Sequence, residues 1–154
     1  VEPLLPHLPE GFKFAEPCAG DGALIKHLET KGLCMWASDI EPQAEGIHSS
    51  PYDMLGFDEL IESDYIITNP PWDRKILHPM IEFFAPKRST WLLFDADWMH
   101  TKQSRQYMPW CRKIVSVGRI KWFGNMTGKD NCAWYLFKEV FAWDATPPEF
   151  IGRI

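Results

Sequence analysis

The sequence predicts an α/β sandwich built on a largely parallel sheet. Three observations point there. Short apolar runs alternate with helix-like segments, a glycine-rich turn follows the first run, and a proline-rich turn follows a later one. Residues 12–16 read as a first strand. Residues 23–31 read as a helix closed by Gly32 on its C-terminal side. A second strand over 33–38, a short third over 46–48 and a fourth over 65–68 come next. Residues 75–84 are expected to be helical despite Pro79, which removes one backbone donor. Residues 89–94 form a strongly apolar fifth strand, and 101–107 a short helix. Residues 113–117 and 133–137 are the last two strands, expected to pair antiparallel across a link over 118–131. The proline-rich end, 146–154, reads as a tail rather than an element.

The 154 residues fit a single domain that buries roughly two-thirds of its unfolded surface. No run approaches the roughly 20 apolar residues of a membrane span, so no membrane partner is expected. Cys18, Cys34, Cys111 and Cys132 are scattered without a C-x-x-C pair, and the histidines are equally dispersed. That argues against a metal site or a disulfide framework and fits a reducing cytoplasm. The net charge of −5 is unevenly spread. Residues 1–98 hold seven basic against seventeen acidic side chains, whereas 99–139 hold eight basic against Asp130 and Glu139. Such asymmetry suits two ligands of different charge, or a surface whose charges mix in three dimensions.

The first turn, Glu16-Pro17-Cys18-Ala19-Gly20-Asp21-Gly22, links a strand to a helix where doubly wound sheets bind ligands. Gly20 and Gly22 permit positive φ and a close backbone approach. The spacing matches neither G-x-G-x-x-G nor a phosphate loop, and Glu16 and Asp21 would repel phosphate. A cationic ligand fits better, and S-adenosylmethionine (SAM), with a sulfonium and an ammonium, is one. Asp39, ending the second strand, is placed to accept from ribose hydroxyls. Asp53 could accept from the adenine amino group or simply cap a turn.

The second turn, Asn69-Pro70-Pro71-Trp72, leaves the strand Asp64-Tyr65-Ile66-Ile67-Thr68. An amine conjugated to a ring is a poor nucleophile because its lone pair is delocalised. The Asn69 side-chain oxygen and the Pro70 carbonyl can accept from its two N–H groups and receive the charge that builds on nitrogen. Consecutive prolines fix φ, so the acceptors are preorganised. Trp72 offers a flat face for the ring, a contact worth ~1–3 kcal/mol where bases stack on aromatics.

With these residues the chain resembles SAM-dependent adenine-N6 DNA methyltransferases in which the cofactor motif precedes the catalytic one. The resemblance spans Phe14-Ala15 through Gly22, Asp39, Asp53 and Asn69-Pro70-Pro71-Trp72. It implies a Rossmann-like methyltransferase fold: a mostly parallel seven-stranded sheet with a C-terminal antiparallel hairpin and helices on both faces. It places Glu16, Gly20 and Gly22 on the methionine side of SAM, Asp39 on the ribose and Asp53 on the adenine. Cys18, Ala19, Ile40, Met54 and Asn69 fall among the cofactor contacts. Trp122 or Phe123, in the basic segment, would stack on the far face of a target base extruded from the duplex. Lys121, Lys129, Lys102 and Arg105 are available to phosphates or simply solvated, and Trp98 borders the pocket or packs behind it. The resemblance also implies a bacterial or phage-encoded protein. The residues after 141 are too few for a target-recognition domain, so sequence specificity is expected to be low or to come from a partner subunit. A segment completing the methionine pocket is expected before Val1. RNA, a protein glutamine amide, or a non-catalytic SAM-binding role remain alternative readings.

Overall fold

The structure, a computed structural model, describes residues 1–123 and 126–153, with side chains described outside 121–129. Its strands are β1 (Lys13–Glu16), β2 (Leu33–Asp39), β3 (His48–Ser49), β4 (Tyr65–Thr68), β5 (Ser89–Asp95), β6 (Cys111–Phe123), β7 (Met126–Phe137) and β8 (Glu149–Ile151). They form one sheet in the order β3-β2-β1-β4-β5-β7-β6-β8. Only β7 is reversed: it pairs antiparallel with β5 and β6, while every other pairing is parallel. The helices are α1 (Ala23–Leu28), α2 (Phe57–Leu60) and α3 (Arg74–Phe84).

Strand alternation feeds two separate cores. Ile66, Leu92, Phe94, Ala133 and Tyr135 face α2 and α3, with Leu77, Met80, Ile81 and Phe84 of α3 closing over them. Ile67, Trp91, Leu93, Cys132 and Trp134 face α1 and the N-terminal residues Leu4 and Leu8. The central strands are therefore apolar on both faces, as a covered parallel sheet requires. Helix α1 ends earlier than the sequence suggests, at Leu28, and the chain turns through Gly32. A Cβ at Gly32 would lie 2.5 Å from the Phe12 ring, so the glycine there makes room for a core aromatic.

Three expectations change. The stretch 118–131, read as a link, is mostly ladder: Gly118 pairs Cys132, Arg119 pairs Asn131, and Phe123 pairs Met126. Gly118, at φ 86° beside a register shift, marks a bulge rather than the end of a strand. Because β5 stops at Asp95, opposite Cys132, the β6–β7 ribbon overhangs the carboxyl edge of the sheet. The tail also folds. Glu149–Ile151 adds β8 as an eighth, edge strand beside β6, tied by Lys113–Glu149 at 3.1 Å. Pro147-Pro148 suggested a structureless end, but prolines just before a strand forfeit no ladder donor. The helix expected over 101–107 is instead a run of 3-10 turns, Ala96–His100, Gln103–Gln106 and Met108–Trp110, where Pro109 and repeated capping by Thr101 and Ser104 prevent an α-helix.

Candidate active site

Both turns singled out in the sequence leave the carboxyl edge of the sheet, from the adjacent strands β1 and β4. In the first, Gly20 and Gly22 adopt φ 53° and 81°, and a side chain at Gly20 would project into open space. The loop is pinned at its centre by Asp39. Its carboxylate accepts from the Gly20 amide at 2.8 Å and from the Glu41 amide at 2.8 Å. Asp39 therefore shapes the loop, with lone pairs remaining for a ligand hydroxyl.

Glu16 lies at the bottom of this turn, fully buried, and accepts from the Cys18 amide at 2.9 Å. Burial pushes its pKa up to about 8, against the pull of Thr68 and the Cys18 amide, with the Asp39 charge adding to the rise. Thr68 Oγ1 is near enough to affect the carboxyl, yet no hydrogen bond of full geometry forms, so we count it as a polar neighbour. Ser38 Oγ is likewise buried without a hydrogen bond. Glu16 and Thr68 thus put a buried acid and a hydroxyl together on the neighbouring strands β1 and β4. A buried polar set of this kind suits a donor-rich cation. The Cys18 thiol is pushed up to about 12, first by burial and then by the Glu16 charge, so it stays protonated and is no nucleophile.

Beside the turn opens a cleft of about 320 Å³ whose walls include Cys18, Asp39, Ile40, Asp53 and Pro71. It joins four of the expected cofactor residues to the proline loop. Ile40 is 71% exposed and Ile76 39%, an apolar rim that a flat ligand would cover. Asp53 sits in a 3-10 turn, Tyr52–Met54, in its first turn and not at its N-cap, which is Pro51. Met54 is exposed and does not line the cleft. Tyr52 and Met80 do, and sequence reasoning passed over both. Tyr52 adjoins Asp53 in sequence, the available signal; Met80 is indistinguishable from its core-facing neighbours on α3. The buried acid, the open glycine and the half-apolar cleft together fit SAM.

In the second turn Pro70 is buried, Asn69 and Trp72 are half-buried and Pro71 is exposed. The Asn69 amide forms no hydrogen bond among the described residues, which leaves its oxygen available. Trp72 packs against both cores and its indole N–H donates to the Leu93 carbonyl at 3.2 Å. Arg74 donates to the Trp72 carbonyl at 3.1 Å and pairs with Asp95 at 2.6 Å. Asp73 then caps α3 by accepting from the Lys75 amide at 3.0 Å. The loop is thereby fastened to β5 at two points. Arg74 and Asp95 were not singled out in the sequence, where nothing marks them as partners.

Trp98, read both as a substrate contact and as a packing residue, takes the packing role and not the substrate one. It is fully buried, donates from its indole to His78 Nε2 at 3.0 Å, and packs edge-on against Phe94, Tyr135 and Phe137. Such a ring supports the wall and cannot meet a substrate. The side chains of Lys121, Trp122, Phe123 and Lys129 lie outside the described residues; their backbone belongs to the overhanging ribbon. Lys102 and Arg105 are exposed on the 3-10 turns. Among the described residues no cluster of His, Cys, Asp or Glu could hold a metal, and no helix is long and apolar enough to cross a membrane.

A sheet of this order with one reversed strand, and a glycine turn after β1, is the class I SAM-dependent methyltransferase fold, and SAM is the cofactor expected of it. Solved structures share it. The E. cuniculi Mtq2–Trm112 complex, which methylates the eRF1 translation termination factor, is similar with a TM-score of 0.58 at 13% identity, covering 90% of this chain and 92% of that one. The 23S rRNA methyltransferase ErmE matches at 0.56 and 10% identity, over 89% of this chain and 65% of its own. A dimethyladenosine transferase from Plasmodium falciparum matches at 0.58 and 13%, over 89% and 60%. The chain thus spans less than two-thirds of the latter two. No family model and no curated protein matches it.

Proposed function

We propose that this chain is a methyltransferase that methylates an exocyclic amino group, with N6 of adenine in DNA as its substrate. The observation that carries the reading is the rigid Asn69-Pro70-Pro71-Trp72 loop, whose Pro71 shares a cleft with Cys18, Asp39, Ile40 and Asp53. SAM bound here would supply an electrophilic methyl group, and its transfer to the amine would break the carbon–sulfur bond and leave S-adenosylhomocysteine. Glu16 faces the ammonium end, Asp39 the ribose and Asp53 the adenine. The Asn69 oxygen and Pro70 carbonyl accept from the two N–H groups of the target, orienting its lone pair and taking up the growing positive charge. The proton leaves to solvent afterwards. Trp72, held by Leu93, stacks on the target ring, and Trp122 or Phe123 covers its other face.

The basic segment over 99–139 favours a nucleic acid, and a partner subunit would add sequence recognition. We place the protein in the cytoplasm of a bacterium or of a phage host. A second reading is methylation of a protein amide, favoured by the likeness to Mtq2 over nearly the full length of both chains. Incubation with isotopically labelled SAM and, separately, DNA, RNA and cell protein decides between them. Label on DNA adenine supports the first reading. Label on protein alone overturns it.

A further inference from the structure

Past the carboxyl end of β5 lies a second cavity, of about 570 Å³, bounded by the turn after β5 and by β6, β7 and β8. We propose that it binds a nucleotide flanking the methylated adenine, with the base stacked on Phe150 and the phosphate paired with Arg153. The inference rests on the nucleic-acid reading given above and names a recognition site for it within this chain.

The lining carries the chemistry. Phe150 pairs in the sheet opposite Ile114 yet is 60% exposed, a bare aromatic face inside a concavity. Stacking on such a face tolerates any base, because every base presents a π surface. Arg153 reaches across Gly118, where a Cβ would come within 2.7 Å of its Nη1. Glycine at that bulge is what lets the guanidinium rest over β6. Arg153 forms no ion pair among the described residues, so its fork is available to a phosphate. His100 and Asn131 add polar groups for base edges. Asp97, the acid in the lining, can accept from an exocyclic amine but would repel a phosphate, which places the phosphate on the Arg153 side.

The position fits a flanking nucleotide rather than the target itself. Asn69 follows β4, whereas Phe150 and Arg153 lie on and just after β8, four strands away and roughly 19 Å at ordinary strand spacing, the reach of a few nucleotides along a nucleic-acid strand. Ala96 and Asp97 of the cavity directly follow Asp95, whose carboxylate holds the Arg74 brace of the proline loop. The two sites therefore meet at the end of β5. This gives a function to the folded tail.

The test measures binding of fluorescein-labelled adenine-containing oligonucleotides to the full chain and to Phe150→Ala, Arg153→Ala and Arg153→Lys, with SAM binding as the folding control. Phe150→Ala is expected to weaken oligonucleotide binding about tenfold. Arg153→Ala is expected to weaken it and to lower the slope of log affinity against log salt by about 0.7–0.9, with Arg153→Lys restoring the slope. Methylation of a single adenine nucleotide, which has no neighbour, should be unchanged in Phe150→Ala. Oligonucleotide affinities within twofold of the parent protein, with SAM binding intact, would overturn the inference and leave the nucleic-acid reading standing. An unaltered chain that labels protein and binds no oligonucleotide overturns both.

Discussion

The indole N–H of Trp72 donates to the main-chain carbonyl of Leu93 at 3.2 Å, tying the last residue of the proline loop to the neighbouring strand β5. Arg74 adds a second tie to the same strand through Asp95. Trp72→Phe keeps the ring but removes the donor, and the unmet carbonyl should cost ~1–2 kcal/mol. For a chain of this size that lowers Tm by about 2–4 °C per kcal/mol. Arg74→Ala should act similarly, and the double variant should cost less than the sum, since both ties hold one loop. Thermal melts of the three variants check this; strict additivity would show that the ties act independently.

Asn69→Ala separates chemistry from cofactor binding. The Asn69 side chain forms no hydrogen bond among the described residues, so its loss removes no structural hydrogen bond. Turnover should fall about 10²–10³-fold, the usual loss on deleting one aimed polar group. SAM affinity should stay within about threefold, read by calorimetry. Equal losses in both measurements would make Asn69 a structural residue.

The sequence exposed the parts of this site that depend on local chain geometry. Gly20 and Gly22 had to sit where φ is positive, and the prolines after Asn69 had to follow a strand; both are local rules. The strands of the parallel half were equally legible, because 65–68 and 89–94 are apolar on both faces. What stayed hidden depends on pairing across long separations. Arg74–Asp95 and Lys113–Glu149 are ordinary surface charges until the fold brings them together. Gly118 looked like a turn because a bulge and a strand end use glycine for the same conformational reason. For Trp98, whose place beyond β5 suits either a pocket wall or the core, only the packing of Phe94, Tyr135 and Phe137 shows that its ring turns inward.

Gly32 and Phe12 form a steric pair with a clear consequence. A methyl at Gly32 would meet three Phe12 ring carbons at 2.5–2.7 Å, and Phe12 is fully buried in the core. Gly32→Ala should destabilise the chain by ~1–3 kcal/mol, as overpacked cores do. Phe12→Leu shortens the ring's reach and should recover part of that loss in the double variant, giving a coupling of about 1 kcal/mol or more in urea unfolding. Zero coupling would mean that backbone adjustment near Gly32 relieves the clash.

Glu16 gives the protein a titration that SAM should reverse. Its carboxyl, buried beside Thr68, Cys18 and Asp39, is raised from 4.5 to about 8, so the folded chain holds a proton that the unfolded chain has lost over that interval. The sign follows from linkage. Stabilisation from the protonated acid is fully present below pH 4.5 and is lost as pH rises through 8, with a slope of up to about 1.4 kcal/mol per pH unit between. Glu16→Gln mimics the protonated side chain and should flatten the ligand-free profile over pH 5–8. A cation placed against Glu16 favours the carboxylate, so SAM binding near pH 7 should release close to one proton from the parent protein and none from Glu16→Gln. Calorimetry in buffers of different ionisation enthalpy reads that release directly. Parallel stability profiles for the two proteins, or equal proton release, would place the cationic end of the ligand away from Glu16.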